Sequence, residues 1–151
     1  MEIRSKFAPP YTIGEQCSKL RAYFPEIKCQ IKRNVLLGQG EFIPSPIAET
    51  YAVRFRYELI NKNRCALRVT LYGNNIKGLT DSDFPHHFAI RAEKREVDLC
   101  LYRYAEFNCR KYLAETVIPW TMEWLSCYEG WLITGKWYGG GEHGCKKAQD
   151  L

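Results

Sequence analysis

Two short segments contain residue types that could carry out chemistry together. Cys100 lies in the run Leu99-Cys100-Leu101, and His86 and His87 lie upstream of it in Pro85-His86-His87-Phe88. A reactive thiol needs a base, a proton shuttle or an oxyanion donor nearby, and imidazole can serve as any of these. The pattern therefore predicts a thiol-transfer site with Cys100 as the nucleophile and either His87 or His86 as its assistant.

Asp98 is the fourth candidate catalytic residue. If residues 97–102 form a strand, Val97, Leu99 and Leu101 share one face, and Asp98 and Cys100 share the other with Tyr102. This alternation separates Cys100 from the apolar face and disfavours a role as core filler. An aspartate beside the thiol would oppose thiolate formation, but it could orient a histidine or desolvate an incoming lysine ammonium.

Other assignments remain open for these residues. Cys100 could be a buried, inert thiol, because free cysteine behaves as a small hydrophobe. Tyr102 and Asn108 are alternative hydrogen-bond donors. Cys109 could be a resolving thiol, although a packed one is the simpler interpretation.

Composition predicts one globular domain over residues 1–151, with a core at about 13–135 and a Gly-rich tail at 136–151. Hydrophobic residues make up 46% of the chain, which is enough for a packed core. The first residues lack an apolar segment typical of a secretory signal, so we expect a cytoplasmic protein whose seven cysteines are reduced. The net charge of +5 comes from intermixed charges, which favours a solvated surface over a nucleic-acid interface.

Hydrophobic periodicity predicts an α+β fold with helices segregated from an antiparallel sheet. Residues 13–24 have helical spacing, and residues 27–31, 51–59 and 65–71 alternate as strands, with a hairpin turn at 61–63. Gly38-Gln39-Gly40 is predicted to be a turn, and residues 106–115 a short helix. A stronger helix follows from Val117 to a stop at Gly135, with its tryptophans as packing anchors.

On these motifs the chain resembles the ubiquitin-conjugating enzymes, and more closely the small bacterial ubiquitin-conjugating-like proteins of CBASS-type anti-phage operons. The resemblance covers roughly residues 50–143. The segments that carry it are Pro85-His86-His87-Phe88, Leu99-Cys100-Leu101-Tyr102, Ile118-Pro119-Trp120, Glu123-Trp124-Leu125 and the run from Tyr128 to His143.

The resemblance implies an N-terminal helix, an antiparallel β-meander, an active-site loop and C-terminal helices. It also implies that Cys100 accepts the C-terminus of a partner protein as a thioester, in operons without a separate activating enzyme. The partner would be a cGAS-like nucleotidyltransferase, whose anti-phage signalling is thereby regulated. The asparagine that usually follows the His-Pro motif is absent, and His87 or Phe88 takes its place.

Three other functions compete with this one. The same fold could be a non-catalytic binding module, or the Cys/His pair could belong to a hydrolase. A zinc site using His143 and Cys145 would need ligands from Cys100, Cys109 or His87, and no Cys-x-x-Cys pair supports it. No cofactor, metal or membrane contact is expected, and Gly139-Gly140-Gly141 is interpreted as a flexible tail or a loop folded back near the site.

Overall fold

The computed structural model describes residues 4–103 and 106–139. It has an N-terminal helix, a six-stranded antiparallel sheet and a C-terminal helix, which confirms the predicted α+β class. The elements are α1 (Ile13–Tyr23), β1 (Lys28–Lys32), β2 (Val35–Phe42), β3 (Tyr51–Asn61), β4 (Arg64–Tyr72), β5 (His87–Arg91), β6 (Glu96–Leu99) and α2 (Val117–Thr134), with 3-10 turns at Ala92–Lys94 and Leu113–Glu115.

Helix α1 begins where the sequence has a capping box. The Thr12 side chain accepts a hydrogen bond from the Glu15 amide at 3.0 Å, and the Glu15 carboxylate accepts one from the Thr12 amide at 3.1 Å. Ile13, Cys17 and Leu20 form its buried face, as the spacing predicted. This face packs against the first strands of the sheet.

The strand order is β1-β2-β3-β4-β6-β5, so β6 lies between β4 and β5. The predicted hairpin between β3 and β4 is confirmed, since Asn61 pairs with Arg64 across the turn. After β4 the chain crosses to the sheet edge as β5 and returns as β6, which pairs with β4 from Thr70 to Tyr72. This return places residues 96–99 inside the sheet and the chain leaving β6 beside the start of β5.

The prediction of a turn at Gly38-Gln39-Gly40 is wrong, because these residues lie within β2. The two glycines pair with Phe55 and Val53 of β3. A Cβ atom at position 40 would stand 3.1 Å from the Ile27 side chain. A side chain at position 40 would therefore crowd Ile27, and glycine here indicates a close approach rather than a turn.

The helix predicted for residues 106–115 is also not formed; in the described residues 106–115 the only helical turn is the 3-10 turn Leu113–Glu115. In contrast, α2 begins at Val117 with Pro119 in its first turn, and it ends at Gly135, whose φ of +75° is the left-handed cap expected of glycine. Trp124 is 3% exposed and packs in the core, which confirms its predicted role as an anchor.

The outer face of the sheet contains a buried ionic network. The carboxylates of Glu96 and Asp98 point away from the apolar core but are covered by arginine side chains, leaving the residues 9% and 6% exposed. Arg54 donates to Glu96 at 2.5 Å, and Arg91 donates to both carboxylates. The hydrogen bond from Arg91, and then the one from Arg54, hold the pKa of Glu96 below its usual value.

We expect Glu96→Gln to lower the free energy of unfolding at neutral pH by about 1–3 kcal/mol, because two guanidiniums lose a charged acceptor. The folded-state pKa of Glu96 lies below its unfolded value. Its contribution is therefore fully present above the unfolded pKa, about 4.3, and is lost as the pH falls through the folded pKa.

Urea unfolding of both proteins from neutral pH to about pH 3 measures this difference. The matched control is Glu58→Gln, whose exposed pair with Arg56 spans 3.4 Å and should contribute less than about 1 kcal/mol. A gap between wild type and Glu96→Gln that stays constant down to acid pH would contradict the assignment.

Candidate functional site

The histidine motif and Cys100 are joined through one backbone carbonyl. The oxygen of His86 accepts a hydrogen bond from the Cys100 amide at 3.0 Å and another from the Trp124 indole N–H at 3.1 Å. His87 begins β5 and pairs with Leu99, the last residue of β6. The structure therefore brings together the two motifs that the sequence placed thirteen residues apart.

His86 adopts an unusual backbone conformation at this junction. Its φ of +35° lies in the left-handed region, which non-glycine residues occupy at a cost and which is often found at functional sites. The pairing of β5 with β6 shifts between His87 and Ile90. In this conformation the His86 carbonyl faces both donors. The His86 side chain lies on the Trp137 ring, with ring centroids 4.7 Å apart.

The two imidazoles have different aromatic neighbours. His86 lies on Trp137, whereas His87 meets the edge of Phe84 with centroids 5.5 Å apart. Both histidines line an open cavity of about 710 Å³, which residues 82–87 form with Trp131 and residues 135–138. The predicted assistants of Cys100 thus share one concave surface at the end of α2.

Cys100 itself is 3% exposed and lies one residue beyond the end of β6. Its Sγ atom is 3.7 Å from the Tyr102 carbonyl oxygen. The residue is disulfide-bonded. The expectation that all cysteines are reduced therefore fails at the predicted nucleophile, which must be reduced before it can attack a carbonyl.

Asp98 lies on the face opposite the core, as the strand alternation predicted. Its carboxylate accepts hydrogen bonds from the Thr70 hydroxyl at 2.7 Å and from two nitrogens of Arg91 at 2.7 and 3.0 Å, and Arg68 lies 3.8 Å away. These contacts tie Asp98 to the outer-face ionic network. The alternation does not extend to Cys100, because the strand ends at Leu99.

The other candidate residues lie in three places. Burial raises the pKa of Tyr102 to about 12, so its hydroxyl keeps its proton at neutral pH, and its ring packs against Trp120. Asn108 accepts a hydrogen bond from the amide of Arg110. Cys109 is a buried free thiol 3.8 Å from the carbonyl of Lys62, in the β3–β4 turn, which fits a packed role.

Neither a metal centre nor a membrane segment is found in residues 4–103 and 106–139. Their His, Cys, Asp and Glu side chains form no cluster of three that could hold a metal ion. None of their helices is both long and apolar enough to cross a bilayer. His143, Cys145 and the tail from residue 140 onward, including Gly140 and Gly141, lie outside the described residues.

Comparison with known protein families identifies the family of this chain. A family model described as the type II CBASS E2 protein matches residues 16–144. The chain belongs to this family. As a CBASS E2 protein it has an E2-like fold and an E2-like role in CBASS, which implies that it works with other CBASS proteins. No curated protein matches the chain.

Sequence reasoning missed the link through Trp124 and the arginines that hold β6. The motif Glu123-Trp124-Leu125 supports the family resemblance, and its helical spacing predicts only that Trp124 packs in the core. Its indole N–H is the second donor to the His86 carbonyl. A tryptophan on the buried face of a helix needs a hydrogen-bond partner for its indole N–H. The position of Trp124 in the sequence could therefore have predicted such a bond, although not its acceptor.

We expect Trp124→Phe to loosen the backbone at Cys100. The variant keeps an aromatic ring but removes one of the two donors to the His86 carbonyl, so the free energy of unfolding should fall by about 1 kcal/mol. Amide hydrogen exchange at Cys100 should accelerate, because its N–H bonds to the same carbonyl.

Hydrogen-exchange mass spectrometry of peptides covering residues 96–101 gives this measurement. The matched control is Trp131→Phe, since the Trp131 indole N–H makes no hydrogen bond within the described residues. If both variants accelerate exchange at Cys100 equally, general loss of packing explains the effect and the carbonyl link does not.

Proposed function

We propose that this CBASS E2 protein forms a thioester between Cys100 and the C-terminus of a partner protein, and then transfers the acyl group to an amine. The observation that supports it most is the carbonyl of His86, which ties the histidine motif to the backbone of the only cysteine placed at that motif within the described residues. The partner that we propose is a cGAS-like nucleotidyltransferase, whose anti-phage signalling the transfer would regulate.

The first step requires a free thiolate and an activated acyl group. A thiol reductant supplies two electrons and two protons, which break the disulfide of Cys100 and release two thiols. The Cys100 thiolate then attacks the carbonyl carbon of an acyl adenylate or similar mixed anhydride at the partner's C-terminus. The new S–C bond replaces the C–O bond, and the leaving group departs with the electron pair.

The second step transfers the acyl group to a lysine amine. The amine nitrogen attacks the thioester carbonyl, the N–C bond forms, the S–C bond breaks and Cys100 leaves as a thiolate. The proton lost by the amine must go to a base. Imidazole is the side chain that can accept it near neutral pH, so we assign this role to His87.

The remaining predicted residues receive supporting roles in this proposal. His86 acts mainly through its carbonyl, which holds the Cys100 amide, while its ring stays against Trp137. Asp98 acts as a positioning residue, because its bonds to Arg91 and Thr70 hold the strand that leads to Cys100. The cavity of about 710 Å³ lined by both histidines would accommodate the last residues of the acyl donor.

The first test is the intact mass of the protein after co-expression with a cGAS-like nucleotidyltransferase from a CBASS operon. We expect an adduct with the mass of the acyl donor, cleaved by hydroxylamine, and absent from Cys100→Ala. Treatment with a phosphine should increase its yield, since reduction frees the thiol without cleaving the thioester. Cys109→Ala is the matched control and should form the adduct normally.

The outcomes separate the competing functions. An adduct that survives Cys100→Ala would overturn the proposal, and an adduct lost only in Cys109→Ala would move the site. Undiminished partner binding and phage protection by Cys100→Ala would instead support a non-catalytic binding module. Release of free acid from a simple thioester or peptide, with no transfer to an amine, would support a hydrolase.

We expect His87→Gln to slow transfer to lysine by about 100-fold or more, which is typical for loss of a general base. In the wild type the rate should fall on acidification, because only a neutral imidazole accepts a proton. His87→Gln should lack this fall, and His86→Gln should keep it. Single-turnover discharge of a preformed Cys100 thioester at several pH values measures the profile, and a fall retained by His87→Gln but lost in His86→Gln would reverse the two roles.

A further inference from the structure

A cationic groove lies on the outer face of the sheet, on the side away from the apolar core. It has a volume of about 810 Å³, which falls within the range of small-molecule sites. Strands β1, β3, β4 and β5 and the 3-10 turn after β5 contribute its positive charges. These are Lys28, Arg54, Arg56, Arg68, Arg91 and Lys94.

Three of these arginines are crowded together on two neighbouring strands. Arg56 and Arg68 are directly paired across β3 and β4, and Arg54 pairs with Thr70 in the adjacent position. Their side chains are 46%, 47% and 65% exposed for Arg54, Arg56 and Arg68. Like charges directly opposite each other destabilise a sheet, so this arrangement has a cost that an anion between the guanidiniums would remove.

The carboxylates of this face do not neutralise the groove. Glu96 and Asp98 lie buried beneath Arg54 and Arg91, and Glu58 contacts Arg56 at 3.4 Å. The six cations of the groove outnumber these three partners. The buried carboxylates instead hold Arg54 and Arg91 in place, which reduces the entropy that these side chains would lose on binding a ligand.

We propose that this groove binds a ligand carrying two or more phosphate groups, inorganic or on a nucleotide, held by Arg54, Arg56 and Arg68. Guanidinium groups bind phosphate oxygens with paired hydrogen bonds, and several converging arginines favour a ligand with several negative charges. The only aromatic residue lining the groove within the described residues is Phe55, which is 4% exposed and belongs to the core. Recognition therefore uses the phosphates, and a single-stranded nucleic acid would lack the stacking surface that such sites provide.

Isothermal titration with inorganic pyrophosphate and with ATP tests the proposal on the full-length protein. We expect saturable binding at one site, at least tenfold weaker in Arg68→Gln and in Arg56→Gln, since each removes a charge-assisted contact. The matched control is Arg64→Gln, which makes the same change in net charge on the same strand but lies outside the groove. Binding by the control should stay within about twofold of wild type.

Folding of the variants is checked by thermal unfolding without ligand. Arg68→Gln should unfold close to the wild-type temperature, because relief of the like-charge pair with Arg56 is offset by loss of the 3.8 Å contact with Asp98. Cys100→Ala should bind ATP normally, so failure of the thioester proposal would leave this one untouched.

Four results would overturn the proposal. These are absence of binding by both probes, an equal loss in Arg64→Gln, tighter binding of a short DNA duplex with the same arginine dependence, and tighter binding of an acidic peptide with that dependence. The third would make the groove a nucleic-acid interface, and the fourth a docking surface for a protein.

Discussion

The site depends on a single carbonyl oxygen that serves two donors from distant parts of the chain. The His86 carbonyl receives the Cys100 amide from the end of β6 and the indole of Trp124 from the middle of α2. Each hydrogen bond alone contributes little free energy. Together they fix the loop before β5, the end of β6 and helix α2 relative to one another. The left-handed backbone of His86 persists because this arrangement over-determines it.

The ionic network supports the same strand from the other face. Asp98 and Glu96 are held by Arg91 and Arg54, so β6 is bonded on its outer side by charges and packed on its inner side by Val97 and Leu99. A strand of four residues has few ladder bonds of its own. Its position next to Cys100 therefore depends on these side chains as much as on the sheet.

Much of the architecture could be predicted from hydrophobic alternation. The long strands β3 and β4 and the capped helix α1 follow directly from their sequence periods. The glycines of β2 could not be told from turn residues, because local sequence does not show that the Ile27 side chain lies against Gly40. Residues 106–115 have helical composition, yet their amides are used in tertiary contacts such as that of Leu113 with the Gln16 side chain at 2.9 Å.

The candidate site was predictable in its residue types and less so in its connections. Cys100, His86 and His87 could be selected by chemistry, and the structure places their backbones together. The strand alternation assigned Asp98 to the outer face correctly, but only the structure shows that it binds Arg91 of β5 and Thr70 of β4 there. Such contacts are long-range, and a single sequence records neither their partners nor their geometry.

The insertion of β6 between β4 and β5 has a consequence for the order in which the protein folds. Strands β1 to β4 are joined by short connections and can pair as soon as they are synthesised, whereas β6 pairs with β4 only after the intervening loop and β5 have been made. The Trp124 bond comes later still, when α2 has emerged. During synthesis Cys100 is therefore made well before its surroundings, and its backbone contacts are complete only once α2 has been added.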